Sequence, residues 1–191
     1  MKIKHFVLLL TMLVALAATS SVRASFSGND LQYTYFFPDN SSIYEQQTVL
    51  VGTGIERTVV GGFPINMDIS DNNILIDFSP ENASTSWTAS PFNGFQLFDI
   101  NNTISAITSV TVNGATTMAG FTSSDISFDA NNIYVNWAGL AIAPTTIVSL
   151  DVGFADAAPV PEPSTIFAGG LLALPFGLQG IRWLRNRKQI A

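Results

Sequence analysis

Apolar and polar residues alternate strictly through Ile65-Asn66-Met67-Asp68-Ile69-Ser70, a period of two that sets one side of a strand on a core and the other in water. The same period runs through Leu31 to Phe36, Ser109 to Asn113, Ile126 to Asp129, Ile133 to Trp137 and Val148 to Phe154. Two further runs, Ile74 to Phe78 and Phe95 to Ile100, read as strands more fully buried. Val, Ile, Thr, Phe and Tyr dominate all of them, as a pleated, half-buried surface prefers. Between them stand Pro38-Asp39-Asn40, Gly61-Gly62, Asp71-Asn72-Asn73, Asn93-Gly94, Asn101-Asn102, Asn113-Gly114 and Asn131-Asn132, each able to turn the chain because Asn and Gly tolerate left-handed backbone angles. Asp71-Asn72-Asn73 and Asp129-Ala130-Asn131-Asn132 look alike, but their flanks do not continue the likeness, so they predict similar hairpin turns rather than a repeat.

No stretch of residues 25–158 carries a stripe at 3.6 residues. Many short strands with frequent turns predict an all-β body over 25–154, an antiparallel β-sandwich of jelly-roll-like or immunoglobulin-like type.

Both ends break this pattern. Lys2 and Lys4 precede an apolar run from Phe6 to Ala18, and Val22-Arg23-Ala24 supplies small residues for cleavage, which predicts a signal peptide over 1–24, cut between Ala24 and Ser25 by signal peptidase. A permanent anchor would need roughly 18 or more apolar residues, and Thr19-Ser20-Ser21 interrupts the run first.

At the other end, Ala155-Asp156-Ala157-Ala158-Pro159-Val160-Pro161-Glu162-Pro163 combines small residues with alternating prolines, which oppose helix and sheet and favour an extended spacer; the linker is expected over 155–165. The apolar segment 166–184 follows; as a helix it would reach roughly 28 Å, close to the thickness of a bilayer's hydrocarbon core. It contains Pro175 and is apolar all round, unlike a helix of a soluble core. Arg182, Arg185, Arg187 and Lys188 close it, and such a basic stop is held in the cytoplasm, so 182–191 is expected inside and the body outside. Trp183 would lie at the interface.

The order Val160-Pro161-Glu162-Pro163-Ser164-Thr165, apolar span, arginine-rich end closely resembles the PEP-CTERM sorting signal of exported bacterial proteins. The resemblance covers about the last thirty residues. It implies recognition by an exosortase-type membrane protease that cuts near Pro161-Glu162-Pro163, anchorage in the inner membrane before processing, and delivery to the cell surface or an extracellular polysaccharide matrix. There is no Leu-Pro-any-Thr-Gly run for a sortase, and a lipid-anchor signal would end in its apolar tail rather than in cations.

Charge sharpens the picture of the body. Thirteen of the chain's 14 acidic residues lie in 25–160 against the single cation Arg57, a formal charge of −12, which repels nucleic acid. The only histidine, His5, leaves with the leader and there is no cysteine, so the mature body can build neither a histidine-based nucleophilic site nor a Cys/His zinc site. It has no lysine for Schiff-base chemistry and no phosphate-binding glycine loop. Glu45, Glu56 and Glu81 could supply a carboxylate pair, with Trp87 and Trp137 as sugar-stacking surfaces, yet their spacing selects none, and the phase of Ile133, Val135 and Trp137 points Trp137 into the core. Asp68, Asp71, Asn73 and Asp77, or Asp125, Asp129 and Asn131, offer oxygen ligands for calcium, but no EF-hand loop is present and solvated turns are the simpler reading. The expectation is a non-enzymatic, cofactor-free structural or adhesive body; the alternatives are a secreted carbohydrate-binding or carbohydrate-active module, or a simple single-span surface protein.

Overall fold

The computed structural model describes residues 24–156. The expected leader up to Arg23, most of the 155–165 linker, the span 166–184 and the basic end 182–191 lie outside the described residues, and with them Val160, Pro161, Glu162, Pro163, Ser164, Arg182, Arg185, Arg187 and Lys188. Among the described residues no helix is long and apolar enough to cross a membrane.

The described chain is all-β. Its strands are β1 (Asp30–Phe36), β2 (Ile43–Leu50), β3 (Ile55–Arg57), β4 (Asn66–Ile69), β5 (Asn73–Asp77), β6 (Thr85–Ser86), β7 (Gly94–Asp99), β8 (Ile107–Val112), β9 (Ile126–Phe128), β10 (Asn132–Asn136), β11 (Ala141–Ile142) and β12 (Ile147–Phe154). They form two five-stranded sheets, β2-β1-β7-β10-β9 and β3-β4-β5-β12-β8, with β6 and β11 as a small separate pair. Neighbouring strands are antiparallel throughout.

Alternation and register together make the core. In the first sheet Tyr35, Phe95 and Val135 face one another across β1, β7 and β10, and Tyr33, Leu97 and Ile133 form the next row. In the second, Met67, Ile76 and Val148 share a row, as do Ile69, Ile74 and Leu150. These side chains are buried in one apolar cluster drawn from both sheets, a sandwich-like arrangement. Removing each from water contributes roughly 1.5–3 kcal/mol, set against the entropy lost in ordering the chain.

Every segment read as a strand is one, with three corrections of detail. Ile74 to Phe78 is not buried on both faces, since Leu75 turns out to solvent, and in β7 Gln96 and Phe98 are only half-buried. These strands have one solvent face each, as antiparallel sheets allow. Asn93-Gly94 is not a turn; Gly94 opens β7, where a Cβ would lie 1.8 Å from the carbonyl oxygen of Val135, so the glycine permits close approach of β10. The hairpin turns do form: Ser70 N–H donates to Asn73 O between β4 and β5, and Asp129 N–H to Asn132 O between β9 and β10.

Candidate functional site: an aromatic pocket

The period of β1 points Tyr35 inward, and Trp137, one residue beyond β10, keeps the phase of Ile133 and Val135. Trp137 is completely buried. Trp87 follows β6, and backbone bonds from Trp87 N–H to Leu140 O and from Gly139 N–H to Trp87 O fix its position. The two indoles then stack with centroids 5.1 Å apart and 10° between planes, while Phe63 meets Trp87 edge-on at 4.8 Å.

A hydrogen-bond chain holds this cluster. The Trp137 indole N–H donates to the Tyr35 hydroxyl at 2.8 Å, and that hydroxyl donates to Asn93 Oδ1 at 2.7 Å. Asn93 Nδ2 donates in turn to Thr88 O at 3.0 Å, and Asn93 N–H to Asn136 Oδ1. Burial holds the Tyr35 phenol well above its ordinary pKa, so the hydroxyl remains a neutral donor.

The turn Val60-Gly61-Gly62-Phe63 closes over this cluster. Val60 and Phe63 exchange both backbone bonds, and both glycines have positive φ, 59° and 85°, as a two-residue hairpin turn requires. A Cβ on Gly61 would sit 2.5 Å from the Tyr35 ring; only glycine lets the turn lie so close. Between turn and cluster is a half-open pocket of about 170 Å³ lined by Tyr35, Phe37, Tyr44, Gly61, Phe63, Ser86, Trp87, Thr88 and Asn93. No lining side chain carries a formal charge.

The carboxylates singled out in the sequence serve elsewhere. Glu45 bridges Arg57 at 3.1 Å and accepts from Gly61 N–H. Glu56 accepts from Gly52 N–H and Ile69 N–H, and Glu81 from Ala83 N–H. None of the three lines the aromatic pocket. Trp137 is core, as its phase predicts, and Trp87 is no exposed stacking surface either: it is 4% exposed and borders the pocket from below the surface.

The oxygen-rich turns remain separate. Asp71 accepts from Ser25, Asp77 from Ser79, and Asp125 from Thr122 N–H; Asn73 binds Ser149 and Asp151. Among the described residues no three His, Cys, Asp or Glu side chains converge as metal ligands. Asp129 accepts from Asn131 N–H, Asn132 N–H and Asn132 Nδ2. The Asn131 N–H, and after it the Asn132 side chain, lower its pKa. A lowered folded pKa means stability present above the unfolded value, about 3.9, and lost as pH falls through the folded one. Asp129→Asn should therefore lower the melting temperature at pH 7, with the gap from wild type closing as pH falls below about 4. Comparing the two chains cancels the general relief of acidic self-repulsion at low pH; a constant gap would contradict the assignment.

Of the expected cleavage pair, Ala24 is exposed and Ser25 donates to Asp71. Tyr35, Tyr44, Phe63 and Asn93 were not singled out in the sequence as site residues; Tyr35 shows there only as a core position. No protein-family model, curated protein or solved structure matches the chain.

Proposed function

We propose that this is an exported bacterial envelope or extracellular-matrix protein, sorted by a PEP-CTERM signal and carrying a non-enzymatic structural or adhesive body. The observation that carries the reading is the three-part order at the C-terminal end: Val160-Pro161-Glu162-Pro163-Ser164, the apolar span 166–184, and the stop of Arg182, Arg185, Arg187 and Lys188. Signal peptidase removes 1–24; an exosortase-type protease acts on the membrane-held precursor and transfers or releases the body to the cell surface or polysaccharide matrix. A jelly-roll-like or immunoglobulin-like type is the reading supported by the chain's repeated passage between its two sheets.

The placement of the body's ends supports delivery on a tether. Phe26 and Phe154 meet with ring centroids 5.0 Å apart, and Ala155 N–H donates to Ala106 O, so entry and exit share one pole. Phe26 also shares a small cavity with Leu31 and Ile107, at the start of β1. Tyr35, which lines the aromatic pocket, stands four residues beyond Leu31 along β1, roughly 13 Å away, toward the other end of that strand.

In a host that encodes an exosortase, Glu162→Ala and, separately, deletion of residues 182–188 should each leave full-length precursor in the membrane fraction while wild type yields the shortened product. Equal shortened product from both variants would defeat the sorting reading, and wild type that stays full length and membrane-bound would favour a simple single-span anchor.

A further inference from the structure

We propose that the aromatic pocket binds one residue of a neutral saccharide, giving the body an adhesive site near the Phe36 end of β1. Size is the first argument. A cavity of ~150 Å³ takes up one benzene ring, and drug-sized ligands need ~300–1,000 Å³; at about 170 Å³ this pocket holds a single six-membered ring.

Chemistry is the second. The rings of Tyr44, Phe63 and Phe37 form the reachable walls, Tyr44 being 58% exposed. Ser86 and Thr88 are exposed at the rim, and among the described residues neither hydroxyl has a hydrogen-bond partner. Apolar walls with a few polar groups at the edge match a pyranose, which presents C–H bonds on its face and hydroxyls around its perimeter. A purely apolar ring would leave the rim hydroxyls unused.

Charge is the third. An anionic sugar meets a body of formal charge −12. An organic cation could use the aromatic faces, but no carboxylate lines the pocket, and Glu45, which accepts from Gly61 N–H, is already paired with Arg57. A neutral ligand is what remains. The pocket is also prepared before binding: the chain from Trp137 through Tyr35 and Asn93 to Thr88 fixes floor and rim, which reduces the ordering cost of binding.

This inference does not depend on sorting, since the pocket lies wholly within the described body. The test titrates the purified full chain in detergent with neutral methyl hexosides and their oligosaccharides, following tryptophan fluorescence and calorimetry. The matching methyl uronides, tetramethylammonium and a peptide of residues 155–163 are run in parallel. Saturable binding of at least one neutral saccharide is expected, at least 10-fold tighter than its uronide and weakened at least 10-fold by Tyr44→Ala. Tyr44 is exposed, so that variant should keep the wild-type melting temperature, and Ser86→Ala should weaken binding by a smaller factor. Absence of saturable binding by any neutral saccharide, preference for the cation or the peptide, or equal binding by Tyr44→Ala would overturn the proposal.

Discussion

Replacing Trp137 with alanine should cost about 4 kcal/mol of folding stability, within the ~3–5 kcal/mol range for deleting a buried aromatic side chain. Trp137 is completely buried and its ring packs against Trp87, Phe95, Phe78 and Tyr35, with centroids 5.1, 5.3, 6.0 and 6.3 Å away, so its loss opens a void that four rings cannot close together. For a body of this size the melting temperature should fall by about 12 °C. A milder pair separates packing from hydrogen bonding. Trp137→Phe keeps a ring but leaves the Tyr35 hydroxyl without its indole donor, and Tyr35→Phe leaves the Trp137 N–H and Asn93 Oδ1 unpaired; each should cost about 2 kcal/mol. The double variant should cost about 1 kcal/mol less than the sum of the singles, because both remove the same bond. Thermal melts followed by circular dichroism measure all of these. A loss below about 1 kcal/mol for Trp137→Ala, or strict additivity of the pair, would show that the cluster is not arranged as described.

The strands that face the core were legible because their chemistry repeats at the period of the pleat. Ile65, Met67 and Ile69 are entirely buried while Asn66 and Asp68 are not, and no other element type reproduces that pattern. β2 escaped notice for a physical reason. It is an edge strand in which Val49 alone is buried, so Tyr44-Glu45-Gln46-Gln47-Thr48 carries no inside-outside contrast. β3, β6 and β11 are three residues or fewer, too short for a period to register. The pocket was illegible as a site because distant segments compose it. Tyr35 and Asn93 stand 58 residues apart in the chain and meet only because β1 pairs with β7. Trp87 sits in Thr85-Ser86-Trp87-Thr88-Ala89-Ser90, where nothing sets its phase, so its burial could not be anticipated.

The second large effect is expected at the body's only cation. β2 and β3 are edge strands of different sheets, and side chains join them. The Arg57 guanidinium pairs with Glu45 at 3.1 Å, donates to Gln47 Oε1 at 2.6 Å and to Val59 O at 3.1 Å, and lies 3.9 Å above the Tyr33 ring. The Arg57 side chain is 7% exposed and that of Glu45 25%, so removing Glu45 strands a buried positive charge. Breaking a buried pair costs ~3–5 kcal/mol; the partial exposure of Glu45 puts Glu45→Leu near the lower end, at about 3 kcal/mol. Replacing both partners by apolar residues of similar length removes the stranded charge, so Glu45→Leu with Arg57→Met should recover at least half of that loss in urea unfolding. A double variant no more stable than Glu45→Leu alone would show that the charge is not what makes the single change costly. The same carboxylate accepts from Gly61 N–H and so seats the turn that walls the pocket. The double variant should therefore regain stability without regaining full saccharide affinity, a separation that ties the edge ion pair to the shape of the site.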